Sequence, residues 1–162
     1  MTDTIRTAHC GDMAALAALL HHAVHEGAAG AYTPEQQAAW SPAPRSAAEM
    51  AERLRGQWIV MAQDAAGPAG FFTLTAKGEI DFAYVRPDRK GDGLAGRLYD
   101  GVIAEARRRG LETLTVQASH IARRFFEKRG WTLIATQTVR PNGVAMENHR
   151  MRLALGRPPG PS

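Results

Sequence analysis

One junction constrains the fold more than any other part of the sequence: an apolar strand that passes through a glycine-containing loop into a helix. The apolar run 80–85 is stopped by Pro87, and the loop 90–95 (Lys-Gly-Asp-Gly-Leu-Ala) follows. From 93 to 109, apolar residues recur every fourth position, which is typical of an amphipathic helix. A second apolar run, 113–116, follows this helix and predicts a parallel crossover between two strands.

The remaining elements predict an α/β fold around a mixed, mostly antiparallel sheet. A short strand precedes two or three helices, and three apolar runs with tight turns then predict an antiparallel meander. One more helix begins at Ser119, before the last two strands. The predicted strands are 4–7, 58–62, 70–75, 80–85, 113–116, 131–139 and 144–155.

Positive charge is concentrated in the middle of the chain. The 162 residues carry a net charge of +4, whereas the segment from Arg86 to Arg129 alone holds eleven basic and six acidic residues. A local positive field favours an anionic partner, and both a phosphorylated cofactor and a nucleic acid meet that requirement. Nucleic-acid binding also needs aromatic side chains between exposed arginines, and only Phe125 and Phe126 hint at such a pattern.

The glycine loop itself has two interpretations. A helix N-terminus presents unpaired N–H groups and a partial positive charge, so a loop that leads into a helix can bind a phosphate group. Glycine lets the backbone approach such an anion closely and adopt positive φ angles. The other interpretation is a turn without a ligand, because glycine-rich turns often precede helices.

Two motifs favour the first interpretation. The segment Val85-Arg86-Pro87-Asp88-Arg89-Lys90-Gly91-Asp92-Gly93-Leu94-Ala95 resembles motif A of the GNAT superfamily of N-acetyltransferases, V-x-P-x-x-[QR]-G-x-G-x-[GA]. Lys90 stands where that family usually has glutamine or arginine. The segment 122–131 (Ala-Arg-Arg-Phe-Phe-Glu-Lys-Arg-Gly-Trp) is similar to a second motif of the family, A-x-x-F-Y-x-K-x-G-[FW]. The resemblance covers about residues 57–155.

The resemblance implies the GNAT fold, in which about four helices flank the sheet and strands 4 and 5 splay apart at a β-bulge. Acetyl-CoA is then the expected co-substrate, with its pantetheine arm in the splay and its pyrophosphate on the loop amides. Arg89, Arg123 and Arg124 are candidates for the adenosine phosphates. The cofactor-binding residues implied by the resemblance are Tyr84, Val85, Lys90, Gly91, Asp92, Gly93, Leu94, Ala95, Ser119 and Phe126.

The implied reaction is direct attack of an amine on the thioester of acetyl-CoA in a ternary complex. No nucleophilic side chain is needed, but the enzyme must orient the reactants and move protons. The tyrosine that serves the family as acid for the leaving thiolate aligns with Phe126, which has no proton to give. Ser119 is the candidate substitute, unless it only caps its helix or the thiolate leaves without enzymatic help.

Asp81 and His22 are the candidates for the base. Asp81 alternates with Ile80 and Phe82 on the strand that enters the predicted site, and burial would suit a carboxylate there to accept a proton. A structural hydrogen bond is the other explanation for Asp81. His22 lies on the first helix, three residues before His25, where an exposed position is the alternative. No spacing of histidine and carboxylate residues resembles a metal site.

The acceptor pocket is expected in the segment 24–40, which matches the family least, and in the turn 141–143. Tyr32 and Trp40 either hold an apolar or aromatic amine or close the core, and Phe72 and His149 are further candidates for substrate binding. We expect a small-molecule amine, although a peptide N-terminus and a lysine side chain carry the same reactive group. A CoA-binding regulatory module without catalysis is the alternative, because the tyrosine is missing.

Composition limits the remaining possibilities. The single cysteine, Cys10, excludes an internal disulfide and any cysteine-based metal site. There is no 18-residue apolar run and no signal-peptide pattern, so we expect a cytoplasmic protein that contacts no membrane. The length predicts one domain over residues 1–155, as a monomer or homodimer, and the Gly- and Pro-rich residues 156–162 predict a flexible tail.

Overall fold

Seven strands and five helices make up the part of the chain that the structure, a computed structural model, describes: residues 3–28 and 30–157. The strands are β1 (Thr4–Thr7), β2 (Trp58–Asp64), β3 (Gly67–Leu74), β4 (Glu79–Val85), β5 (Thr113–Ala118), β6 (Thr132–Val139) and β7 (Met146–Ala154). The helices are α1 (Met13–His22), α2 (Pro34–Trp40), α3 (Ala47–Arg53), α4 (Leu94–Arg108) and α5 (His120–Glu127).

All seven strands form one sheet in the order β1-β2-β3-β4-β5-β7-β6. Only β4 and β5 are parallel, and every other neighbouring pair is antiparallel. The crossover through α4 is what makes that pair parallel, because the chain returns to the same end of the sheet. The predicted mixed, mostly antiparallel α/β fold is therefore confirmed. The described part has five helices rather than about four, since three form before β2.

Each face of the sheet carries its own hydrophobic core. The stripe predicted for α4 is fully buried against one face, where Leu94, Leu98, Val102 and Ala106 pack together with Phe126 of α5. The other face is covered mainly by α1 and α3. Burying each of the large side chains contributes about 1.5–3 kcal/mol. These two layers fix the positions of α4 and α5 relative to the parallel strand pair.

Local sequence signals explain where the short helices begin. The side chains of Thr33, Ser46 and Ser119 accept hydrogen bonds from N–H groups of the first turns of α2, α3 and α5. Helix α1 continues into a π-helical turn over Ala23–Gly27. Most of the predicted flexible tail, residues 158–162, lies outside the described residues. In the described ranges, none of the helices combines the length and the hydropathy needed to cross a lipid bilayer.

Candidate functional site

The parallel strands β4 and β5 are paired only at one end. Glu79 lies opposite Thr115 and Ile80 opposite Val116, and the rest of β4 has no partner on β5. Gly78 begins this short paired stretch: its φ is +95°, and a Cβ atom there would lie 2.9 Å from the carbonyl oxygen of Thr113. The strands therefore separate beyond Ile80 and leave unpaired main-chain groups along one edge of β4, as the predicted splay requires.

A β-bulge in β4 distributes its side chains over the two faces of the sheet. The pairing between β3 and β4 shifts register between Phe72 and Leu74, and the N–H of Phe82 donates to the buried Oγ1 of Thr73 at 3.0 Å. Phe82 and Tyr84 pack on the α1 side, whereas Ala83 and Val85 pack on the α4 side. Both sides of the splay consequently receive side chains from the same strand.

On the α4 side, the splay opens into a cavity of about 460 Å³, which we call the α4 cavity. It lies between β4, the loop 90–96 and α5. Its walls combine small residues of the loop with apolar side chains. The lining residues used below are Phe72, Val85, Gly91, Gly93, Ala95, Ser119, Phe126 and Arg129.

The loop points unpaired amides into the α4 cavity. Gly91 and Gly93 have φ angles of +80° and +88°, which residues other than glycine rarely adopt. Asp92 Oδ1 accepts the N–H of Leu94 at 3.0 Å. Among the described residues, the N–H groups of Gly91, Gly93 and Ala95 have no acceptor. These donors at the N-terminus of α4 form a cradle that fits a phosphate group.

Arg129 adds a positive charge beside this cradle. Its guanidinium stacks on the Phe125 ring, 3.7 Å from the centroid, and would lie 2.9 Å from a Cβ atom at Gly96 in the first turn of α4. No described carboxylate forms an ion pair with it. A cation held by an aromatic ring, without a counter-ion, is well placed for a phosphate group.

Arg89, in contrast, is held by carboxylates. Asp3 accepts two hydrogen bonds from it at 2.8 and 2.9 Å, Asp64 accepts one at 3.0 Å, and Asp92 pairs with its Nε. The Arg89 side chain is 16% exposed, so these contacts are largely shielded from solvent. Arg89 lines the α4 cavity, and the network engages all three nitrogens of its guanidinium while joining the N-terminal segment and β2 to the loop.

The network gives the first testable prediction, on stability. The guanidinium groups of Arg86 and Arg89 hold the pKa of Asp64 at about 2, below the ordinary value of about 3.9. Because a lowered carboxyl pKa stabilises the fold above the ordinary value, that contribution is lost as the pH falls from about 4 to about 2. An Asp64→Asn variant is expected to melt at a lower temperature than the natural protein at pH 7, with a difference that narrows below pH 4.

Thermal unfolding followed by circular dichroism from pH 7 to pH 2 measures this effect. An Asp100→Asn variant is the matched control, because Asp100 is an exposed carboxylate on α4 without an ion pair among the described residues. Equal melting temperatures for the Asp64 variant and the natural protein at pH 7 would contradict the prediction.

On the opposite side of the splay lies a second cavity of about 480 Å³, which we call the α2 cavity. Four aromatic side chains and several polar ones line it. Trp40, Tyr84 and Ser119 line both cavities, so the two meet at the splay. The lining residues used below are Tyr32, Trp40, Arg53, Glu79, Asp81, Phe82, Tyr84, Gln117, Ser119 and Asn148.

The two carboxylates of the α2 cavity differ in their partners. Asp81 accepts hydrogen bonds from Arg53 at 2.5 and 3.0 Å and from Gln57 at 2.7 Å. Glu79 has no side-chain hydrogen bond within the described ranges, and burial, reinforced by the nearby negative charge of Asp81, raises its pKa. Glu79 is thus the carboxylate that is free to accept a proton.

Comparisons with known proteins agree with this geometry. The family model described as an acetyltransferase (GNAT) domain matches residues 28–154. The chain belongs to the GNAT family of acetyltransferases. It is 31% identical over 148 residues, 91% of this chain and 93% of the relative, to the uncharacterized N-acetyltransferase YafP of Escherichia coli (strain K12).

Solved structures of GNAT proteins show the same fold. A GCN5-related N-acetyltransferase from Rhodopseudomonas palustris superposes with a TM-score of 0.88 at 35% identity, over 96% of this chain and 97% of that one. A phosphinothricin acetyltransferase from Sinorhizobium meliloti, solved in complex with AcCoA, has a TM-score of 0.74 at 20% identity, over 100% and 94% of the chains. This GNAT protein is accordingly an acetyl-CoA-dependent acyltransferase.

Two residues of this GNAT protein, Phe126 and Ser119, bear on the proton transfers. Phe126, at the position of the family's tyrosine, is buried against Trp131 with ring centroids 4.9 Å apart. Ser119 Oγ accepts the N–H of Ala122 at 3.1 Å, so its own proton remains available for donation. Ser119 also lies where the two cavities meet, whereas the Phe126 ring lines only the α4 cavity.

Several other predicted site residues lie around the two cavities. Tyr32 and Trp40 line the α2 cavity, but Phe72 lines the α4 cavity. Lys90 lines the α4 cavity, and its Nζ donates to the carbonyl oxygen of Gly27 at 2.6 Å, which ties the loop to the turn after α1. Asp92 faces away from the lining and caps the loop instead.

The two predicted histidines line neither cavity. His22 is about half exposed and lies 3.5 Å from Glu26, one turn further along the same helix. His149 is buried: His120 contacts its Nε2 at 2.8 Å and Thr136 its Nδ1 at 2.9 Å. Burial, together with the charge of Arg123, lowers the pKa of His149. Both side chains therefore have partners within the protein.

Proposed function

We propose that this GNAT protein transfers the acetyl group of acetyl-CoA directly to the amine of a small molecule. The observation that carries the proposal is the meeting of the two cavities at Trp40, Tyr84 and Ser119, across the gap between β4 and β5. A donor bound in the α4 cavity and an acceptor bound in the α2 cavity would bring their reacting atoms together at this gap. Such positioning converts a bimolecular reaction into an effectively unimolecular one.

Acetyl-CoA, when bound, supplies an activated thioester. The unpaired edge of β4 between Asp81 and Val85 offers N–H and C=O groups to the pantetheine arm, and the amides of Gly91, Gly93 and Ala95 face the pyrophosphate. Arg129 would hold a further phosphate oxygen. A main-chain N–H near Val85 would polarise the carbonyl group of the thioester.

Glu79 serves as the base in this proposal. Glu79 accepts one proton from the bound ammonium group, directly or through one water, and so gives the neutral amine that attacks the thioester. As the N–C bond forms and the C–S bond breaks, the nitrogen loses its second proton to water. A raised pKa strengthens the Glu79 carboxylate as a proton acceptor at neutral pH. Asp81, which holds Arg53, positions the wall of the cavity instead.

Ser119 donates a hydrogen bond to the leaving thiolate, which then takes its proton from water. A thiol of this kind has a pKa of about 8.5, so its thiolate is a modest leaving group that gains from a hydrogen bond. The Ser119 hydroxyl lines both cavities and already accepts the N–H of Ala122, which leaves its proton free to point at the splay.

The shape of the α2 cavity favours a small acceptor. Its volume of about 480 Å³ lies within the range of cavities that enclose small molecules. Residues of α2, β7 and the turn at Pro141 close around it, which limits the reach of a folded protein surface.

The test is amine-dependent release of CoA, measured with a thiol reagent, over a panel of primary amines at saturating acetyl-CoA. We expect turnover with at least one amine and an acetylated product by mass spectrometry. Acetyl-CoA binding without turnover of any amine would favour a regulatory CoA-binding module. Failure to bind acetyl-CoA at millimolar concentration would overturn the proposal altogether.

A further inference from the structure

The α2 cavity has a rigid aromatic wall. The rings of Tyr32 and Trp40 meet edge to face with centroids 5.5 Å apart, and those of Phe82 and Tyr84 lie 5.9 Å apart. The Tyr32 hydroxyl donates to the carbonyl oxygen of Glu147 at 2.8 Å and accepts the N–H of His120 at 3.1 Å. These bonds engage the polar end of Tyr32, and His120 stacks on one face of its ring with centroids 4.7 Å apart, so apolar ring atoms are what Tyr32 contributes to the lining. Flat apolar groups pack well against such a wall.

The charge of the same cavity favours a cation. Among the described lining residues, Arg53, Glu79 and Asp81 are the charged ones at neutral pH. Arg53 is paired with Asp81 and stacks 4.8 Å from the Phe82 centroid, so its charge is compensated. An ionised Glu79 then leaves the cavity negative. Arg45 lies 6.0 Å from the Phe82 centroid but does not line the cavity. A carboxylate on the acceptor would meet no free cation in the lining.

We infer that the acceptor is a primary amine on a flat aromatic body that carries no carboxylate beside the amine. This inference rests on the proposed function and names its substrate class. The aromatic wall favours the flat body, and the negative charge of Glu79 favours the ammonium form for binding and disfavours a carboxylate on the acceptor.

The test compares matched amines by kcat/KM at saturating acetyl-CoA. The kcat/KM for 2-phenylethylamine is expected to be at least about tenfold higher than that for phenylalanine and that for hexylamine. Phenylalanine would add one unfavourable charge contact, and hexylamine would lose one aromatic contact. Phenylalaninamide has nearly the same size as phenylalanine but lacks the carboxylate, so it separates the effect of charge from that of size. We expect its kcat/KM to be higher than that of phenylalanine. Titration calorimetry of the same amines into the protein saturated with CoA gives a second readout that does not depend on turnover.

Preference for phenylalanine or hexylamine would overturn the substrate class while the acetyltransferase proposal stands. Absence of acetyl transfer to every amine would overturn both.

Discussion

Replacement of Glu79 by glutamine is expected to lower kcat by about 10²–10⁴-fold, the usual contribution of a general base. Glutamine keeps the size of the side chain, and the main-chain N–H of Glu79 still donates to Thr75 Oγ1 at 3.0 Å. The variant should therefore fold and bind acetyl-CoA with an affinity close to that of the natural protein. Steady-state kinetics and calorimetry with acetyl-CoA measure the two quantities separately.

The pH dependence of the same pair of proteins identifies the titrating group. Burial and the charge of Asp81 raise the pKa of Glu79 above the ordinary value of about 4.3. The base acts only when ionised, so kcat/KM of the natural enzyme should fall as the pH drops through this raised pKa. The variant should lack that limb of the profile, while the limb due to the acceptor amine remains.

Asp81→Asn is the matched control, because it makes the same chemical change two residues away. It removes the ion pair with Arg53 and is expected to reduce activity less than Glu79→Gln does. If Asp81→Asn abolished turnover while Glu79→Gln left it intact, Asp81 would be the base, as the alternation along the strand suggested. Comparable losses in both variants without a change in pH profile would exclude a base at either position.

The choice between these two carboxylates shows where sequence reasoning stops. Both carboxylates line the α2 cavity, as a site on β4 predicts. The expected alternation does not hold, because the β-bulge places Ile80 on the α4 side of the sheet and Phe82 on the α1 side, beside Asp81. The sequence does not show that Arg53, 28 residues earlier in the chain, forms an ion pair with Asp81. Side-chain partners from distant elements decide which acid is free, and their pairing depends on the complete fold.

The glycine junction was predictable because its signals are local. A proline after an apolar strand, two glycines and a four-residue apolar period determine a strand, a loop and a helix without reference to the rest of the chain. The parallel pairing of β4 with β5 follows from the helix between them. The positions of the amides in the α4 cavity are then set by backbone geometry alone.

Charge counting was less informative than it seemed. Two acids from outside the segment 86–129 pair with its arginines: Asp64 with Arg86, and Asp3 with Arg89 and Arg97. Part of the apparent positive field is thereby compensated within the fold. Arg129, which the sequence analysis did not select, has no counter-ion among the described residues because it folds back over Phe125. The only sequence signal for a role of Arg129 was its position directly after Lys128, the lysine of the second motif.

A Gly93→Asp variant is expected to raise the Kd for acetyl-CoA at least about a hundredfold. The φ angle of +88° is strained for any residue with a Cβ atom, at a cost of about 1–2 kcal/mol. The new carboxylate would also lie in the cradle of amides, where it repels a pyrophosphate; like charges in contact cost several kcal/mol. Titration calorimetry with acetyl-CoA measures the loss.

Gly56→Asp separates the two contributions. Gly56 has a φ of +77° and open space at its Cβ position, and it lies in the turn between α3 and β2, outside the lining of the α4 cavity. Both variants add one negative charge and a similar backbone strain, so both should lower the melting temperature to a similar extent. Only Gly93→Asp should lose acetyl-CoA, because only there does the carboxylate face the pyrophosphate. Equal affinities in the two variants would mean that strain or net charge, rather than the cradle, controls binding, and the pyrophosphate would then have to lie elsewhere along α4.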